Sequence, residues 1–353
     1  MLRYILRRLL QSIPTLLGIS LIGFILIHAA PGGPFNFFDP NLTPAAKEML
    51  IEQQGLDQPV ALQYVKWMTG FMLRESDVSD KGIYEKYDCQ YRAGFDLTIC
   101  NTSGGLLRGD LGTSIQTRQP VWDRLVERMP ATARLSLASL FLTLLIGIPL
   151  GIFSAIYRGS IFDNLVRFFS VVGQTVPDFF MGLMLIFIFA VFLRLLPTGG
   201  ESTPCLINCK FDIVDRLRHI IMPAFVLALG GIAFISRVMR TETLEVISQD
   251  YIRTAKAKGL NNNKVWFTHA LRNSLIPLMT ILGPAIVGII GGAVIIENVF
   301  SWPGMGRLTL SAALQRDYPM VLGAMIFFSF LTIIGNLLSD ILYGMVDPRV
   351  RLS

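Results

Sequence analysis

Six apolar stretches, each about long enough to cross a bilayer, alternate with polar segments along the chain, at residues 9–30, 135–157, 168–195, 220–238, 275–296 and 321–346. A spanning helix needs roughly 20 mainly apolar residues because the bilayer core holds no water, so each backbone N–H and C=O must be paired within the segment. The pattern predicts an all-α polytopic membrane protein of about six transmembrane helices. Residues 1–30 form a cytoplasmic N-terminus and first helix, 31–134 an extracytoplasmic segment, 135–346 a five-helix core with a large loop at 239–274, and 347–353 a cytoplasmic tail.

The first stretch, fronted by Arg3, Arg7 and Arg8, invites a signal-peptide reading. It exceeds the roughly 7–15 residues of a signal core and ends in "HAAPGGP" without a small-x-small cleavage site, so it reads as a retained helix. Composition agrees with membrane residence. Of 353 residues 52% are hydrophobic and 16% charged, against about a quarter charged in soluble domains, and mean hydropathy is +0.54.

Lys and Arg near helix ends stay in the cytoplasm. With both termini inside, the cytoplasmic pieces hold Arg3, Arg7, Arg8, Arg158, Arg167, Arg237, Arg240, Arg253, Lys256, Lys258, Lys264, Arg272, Arg349 and Arg351. This distribution along membrane edges assigns the net charge of +6 to lipid orientation rather than to nucleic acid. All four cysteines, Cys89, Cys100, Cys205 and Cys209, then lie outside, where disulfides form. Pairing Cys89 with Cys100 and Cys205 with Cys209 is the simplest of three connectivities, and free thiols stay open. A zinc site would want paired C-x-x-C spacing, which is absent, and His28, His219 and His269 are scattered.

Within the outer segment, residues 44–72 have helical periodicity, and 74–105 read as a loop or small subdomain stapled by cysteine. "GGLLRGDLGTS" superficially resembles a phosphate loop, yet Asp110 stands where the lysine that grips phosphate is required. The chain also lacks H-E-x-x-H and G-x-S-x-G, so nothing points to metal, cofactor or catalytic chemistry of its own.

Two features carry candidate function. At membrane depth, Gln174 and Asp178 flank Pro177 in "GQTVPDFFMGLML". A carboxylate turned to lipid there costs about 2.5 kcal/mol or more, so it faces the bundle interior or water, a candidate translocation path. A break at Pro177 with Asp178 capping the next helix explains the pair equally well. Pro149, Pro177, Pro223 and Pro284 are candidate hinges. The second feature is the basic loop "LEVISQDYIRTAKAKGLNNNKVWFTHALRNSLIP", residues 244–277, in which a helix should stop at Gly259 before three asparagines. Lipid anchoring explains Arg253, Lys256 and Lys258 but not the small Ala255, Ala257 and Gly259, which would let a partner surface come close.

"YIRTAKAKGL" with "HALRNSLIP" behind it resembles the cytoplasmic loop of permease subunits of binding-protein-dependent ABC importers, in the dipeptide/oligopeptide branch. "RRLLQSIPTLLGISLIGFILIHAAPGGP", "LLRGDLGTSIQTRQPVWDRLVERMPATARLSL", "IIENVFSWPGMGRLTLSAALQRDYPMVLGA" and "DILYGMVDPRVR" are similar to that branch in the same order. The resemblance implies a type I importer permease architecture and a helix, spanning Arg253, Thr254, Ala255, Lys256, Ala257, Lys258, Gly259 and Leu260, that couples to a separate ATPase. The general pattern has Glu-Ala-Ala where this chain has Arg253-Thr254-Ala255, so the carry-over is firmest for Ala255 and Gly259. It further implies a second permease, two ATPases holding ATP and Mg, an extracytoplasmic solute-binding protein and the lipid of an inner membrane, with no cofactor in this chain. An ion-coupled secondary transporter using Asp178, or an enzyme or sensor acting through the outer segment, are the alternatives.

Overall fold

The computed structural model describes residues 2–29, 43, 51, 55–75, 88–92, 97–102, 104–204, 212–261, 265–266, 271–275, 278 and 293–346. The chain folds as two compact units. One comprises residues 2–127 with 309–330, the other residues 128–308 with 331–353. Four described helices are long and apolar enough to cross a membrane, five if a bent pair counts as one span. Most of the fifth stretch, 275–296, lies outside the described residues, as do Cys205, Cys209 and Pro284.

In the first unit, α1 (Leu2–Ala29) is followed by α2 (Val60–Thr69) and three short strands, β1 (Phe71–Glu75), β2 (Asp88–Arg92) and β3 (Leu97–Asn101). The strands pair antiparallel in the order β1-β3-β2. Cys89 and Cys100 are register partners on adjacent strands and are joined by a disulfide. Part of the stretch read as a loop or small subdomain stapled by cysteine is therefore a small sheet. Strands of five residues are too short to display alternation clearly beside the stronger helical period of α2. The same unit ties two distant turns together, since Asp317 accepts from the Ser114 hydroxyl and from Ile115 N at 3.1 Å.

The second unit is built around α3 (Val121–Ile156), which enters it at Arg128, and α6 (Ile213–Ile247). Between them in sequence come α4 (Ile161–Thr175) and α5 (Asp178–Leu185), the latter running on as a π-helix over Ile186–Phe192. Then follow α7 (Asp250–Ala257), a single turn at Leu271–Ser274 and α8 (Val294–Val299), while α9 (Met305–Leu314) and α10 (Tyr318–Val346) each have residues in both units. α3 starts well before the apolar run at 135 because its first turns carry Asp123, Arg124, Glu127 and Arg128. Hydropathy sees only the apolar part of such a helix.

The expected single span at 168–195 is instead two helices bent by 105°. Pro177 has no N–H to donate and pushes the preceding residue out of the helical region, and Val176 indeed sits at φ −75°, ψ 126°. Of the other candidate hinges, Pro149 and Pro223 lie inside continuous helices. α3 and α6 approach closely through glycine, for a Cβ on Gly151 would lie 2.6 Å from that of Met239. Beside this crossing Ile152, Ile235, Met239 and Leu278 form a buried cluster.

Candidate functional site

The loop helix is short and two-faced. On α7, Ile252 and Ala255 turn inward and pack with Val265, flanked by Val246, Leu260 and Trp266. Tyr251, Arg253, Thr254, Ala257 and Lys258 are exposed. The Asp250–Arg253 pair at 3.5 Å is fully in solvent, with the Arg253 side chain 75% exposed, and a pair of that kind contributes little. The helix ends as its sequence dictates. Gly259 adopts φ +73°, and Leu260 N reaches back to the Ala255 carbonyl at 3.4 Å while Leu260 packs on the Ala255 cluster. This is a Schellman stop, which wants glycine at the left-handed position.

The structure thus divides the sequence-picked residues. Ala255 is small because its own chain packs on it, and Gly259 is glycine because the turn requires φ > 0. Arg253, Thr254, Ala257 and Lys258 are the ones offered to another surface; the Lys256 side chain lies outside what is described. Only Ser248 and Gln249 separate α7 from α6, so α7 is attached directly to the 35-residue helix.

Just before that junction a buried carboxylate joins three helices. Asp163, 1% exposed in the first turn of α4, accepts from Arg240 Nε at 2.7 Å and from a second Arg240 nitrogen at 2.9 Å. It also accepts from the Ser154 hydroxyl of α3 at 2.5 Å and from Gly159 N at 3.0 Å. A bidentate guanidinium–carboxylate pair with its remaining lone pairs filled is the geometry in which a buried charge is tolerated. Sequence reasoning missed this node. Arg240 counted only as one more cytoplasmic cation, and Asp163 lies 77 residues away in "GSIFDNLVR".

A second buried acid, Glu297 of α8, organises "ENVFSWPGMGR". Its carboxylate accepts from the Thr132 hydroxyl at 2.8 Å and from Arg307 N at 2.9 Å. Thr132 in turn accepts from Met305 N, and the Trp302 indole donates to the Ala131 carbonyl, both at 2.8 Å. A side chain at Gly304 would overlap the Glu297 carboxyl. This acid is consumed by its own fold.

Gln174 and Asp178 differ in kind, for both are exposed. Gln174 accepts from the Arg237 guanidinium of α6, whose Nε donates to the Ala233 carbonyl at 3.3 Å. Asp178 is the first residue of α5, and no side chain caps that helix.

Residues 147–352 match the family described as binding-protein-dependent transport system inner membrane component, and residues 1–138 match the N-terminal region described for the same systems. The chain belongs to this family. The permease is 41% identical over 350 residues to the oligopeptide transport system permease protein AppB of Bacillus subtilis (strain 168), covering 99% of each chain. It is 35% identical over 371 residues to the dipeptide transport system permease protein DppB of Escherichia coli (strain K12), again covering 99% of each. It is 34% identical over 373 residues to the di/tripeptide transport system permease protein DppB of Pseudomonas aeruginosa (strain UCBPP-PA14), with the same coverage. The permease is an inner-membrane component with a transport role rather than an enzyme, and binding-protein-dependent import implies ATPase and solute-binding partners. The alternatives of a solitary ion-coupled carrier and a tethered enzyme fall away.

Proposed function

We propose that this chain is one of two permease subunits of an ATP-driven peptide importer, and that the exposed face of α7 is where a separate ATPase grips it. The observation that carries this is the division of α7. Ile252 and Ala255 anchor the helix to its own chain, and Arg253, Thr254, Ala257 and Lys258 are left without a covering element among the described residues. A helix anchored on one side and joined to α6 by two residues moves α6 when it is pushed. Two states of the permease then acquire different energies when the ATPase pair closes, which is what ATP-driven alternating access requires.

In this reading α7 and both termini are cytoplasmic, and the β1–β3 sheet with its disulfide faces the solute-binding protein. The second permease completes the translocation path, lipid surrounds the pair, and ATP with Mg is held by the ATPases. Peptide cargo is supported by the names of relatives that match over 99% of their length. Gln174 and Asp178 belong to the path. The test is ATP-dependent peptide uptake by the complete complex in liposomes. Uptake that persists without ATPase subunits and follows a proton gradient would overturn the reading.

A further inference from the structure

We propose that Arg237 is a carboxylate-recognition residue of the translocation path, its guanidinium steered by Gln174 to receive the free carboxylate end of the cargo. This rests on the peptide-import reading above and goes beyond it by assigning a chemical polarity to the path. Arg237 is exposed in the unit that carries α4, α5 and α6. Its bonding fixes which way the head points. Nε donates to the Ala233 carbonyl, one turn back along α6, and a terminal nitrogen donates to Gln174. Gln174 lies about 20 Å along α4 from the start of that helix. An arginine that merely anchors a helix end extends towards the nearer headgroups; this one extends towards the break at Val176–Pro177, away from the α7 end.

The guanidinium is also uncommitted. Of its five N–H groups two are used, both by neutral oxygens, and among the described residues no carboxylate pairs with it. The three remaining N–H groups lie on the two terminal nitrogens, which are the donors a guanidinium offers to a carboxylate. Gln174 can only orient the group, because an amide oxygen leaves the positive charge unneutralised. Asp178, of opposite charge and likewise exposed, stands just past the break, so the wall offers both signs that a zwitterionic peptide carries. Three other polar groups of the unit are spoken for: Arg240 by Asp163, Glu297 by Thr132 and Arg307 N, and Ser170 by Ser236 at 3.1 Å.

The complete complex, reconstituted in liposomes, should be assayed with one dipeptide as its free acid and as its C-terminal amide. In R237Q the ratio of free-acid to amide uptake should fall about tenfold or more. R237K should fall less, since it keeps the charge and loses the planar fork. In parallel, R237C should react with a water-soluble methanethiosulfonate reagent, and the free-acid dipeptide should slow that reaction. An unchanged acid-to-amide ratio in R237Q would overturn the proposal, and so would an R237C thiol that is closed to the reagent or unprotected by peptide. A wild-type complex that moves no peptide would instead overturn the cargo reading, independently of how R237C reacts.

Discussion

Arg237 and Arg240 lie one turn apart on α6, yet they contact positions on α4 that are eleven residues apart, Gln174 and Asp163, about 16 Å along that helix. Arg240 is half-buried and forms a bidentate pair with the buried Asp163, which a hydroxyl and a backbone N–H complete. Arg237 is exposed, touches only neutral acceptors and keeps spare donors. The difference separates a charge that holds the fold from one that is available to a ligand. The same division recurs on α7, where Ala255 is absorbed by the chain and Lys258 is not.

The contrast is broken most severely at Asp163. D163A would leave the Arg240 guanidinium without its counter-charge beside α3 and α4, and removing one partner of a buried pair costs about 3 kcal/mol or more. Thermal unfolding of the detergent-solubilised complex should show a marked drop in Tm. A smaller effect is expected at the end of α7. G259A places a Cβ at φ +73° with no neighbouring atom within 4 Å to obstruct it, so the penalty is the backbone strain alone, about 1–2 kcal/mol. It should fray α7 and weaken coupling, read as uptake per ATP hydrolysed. The smallest stability effect belongs to R237Q, within about 0.5 kcal/mol because no acid among the described residues pairs with the lost charge. Equal Tm losses for R237Q and D163A would erase the distinction between the two arginines.

What the sequence displayed follows from range. The apolar runs other than 275–296, the helix stop at Gly259 and the interruption at Pro177 are local signals with counterparts among the described residues, although Pro177 bends the chain into two helices rather than hinging one. The helical extension of α3 back to Val121 was masked because its early turns are charged. The partners of the buried acids were illegible, since Asp163–Arg240 and Thr132–Glu297 bridge 77 and 165 residues. A lone acid in a polar loop looks the same whether it is solvated or sunk between helices. Ala255 shows the converse. Its small size suggested approach by a partner, and the partner turns out to be Val265 of the same chain.

The central claim is that the outward face of α7 meets a motor subunit while its inward face meets the chain itself. Single cysteines at positions 255 and 258 in the assembled complex, treated with a short thiol cross-linker, test this directly. K258C should form a covalent adduct with the ATPase, in a yield that changes when ATP is bound, whereas A255C should form none. An adduct from A255C equal to that from K258C, or none from K258C in a complex that transports, would contradict the account.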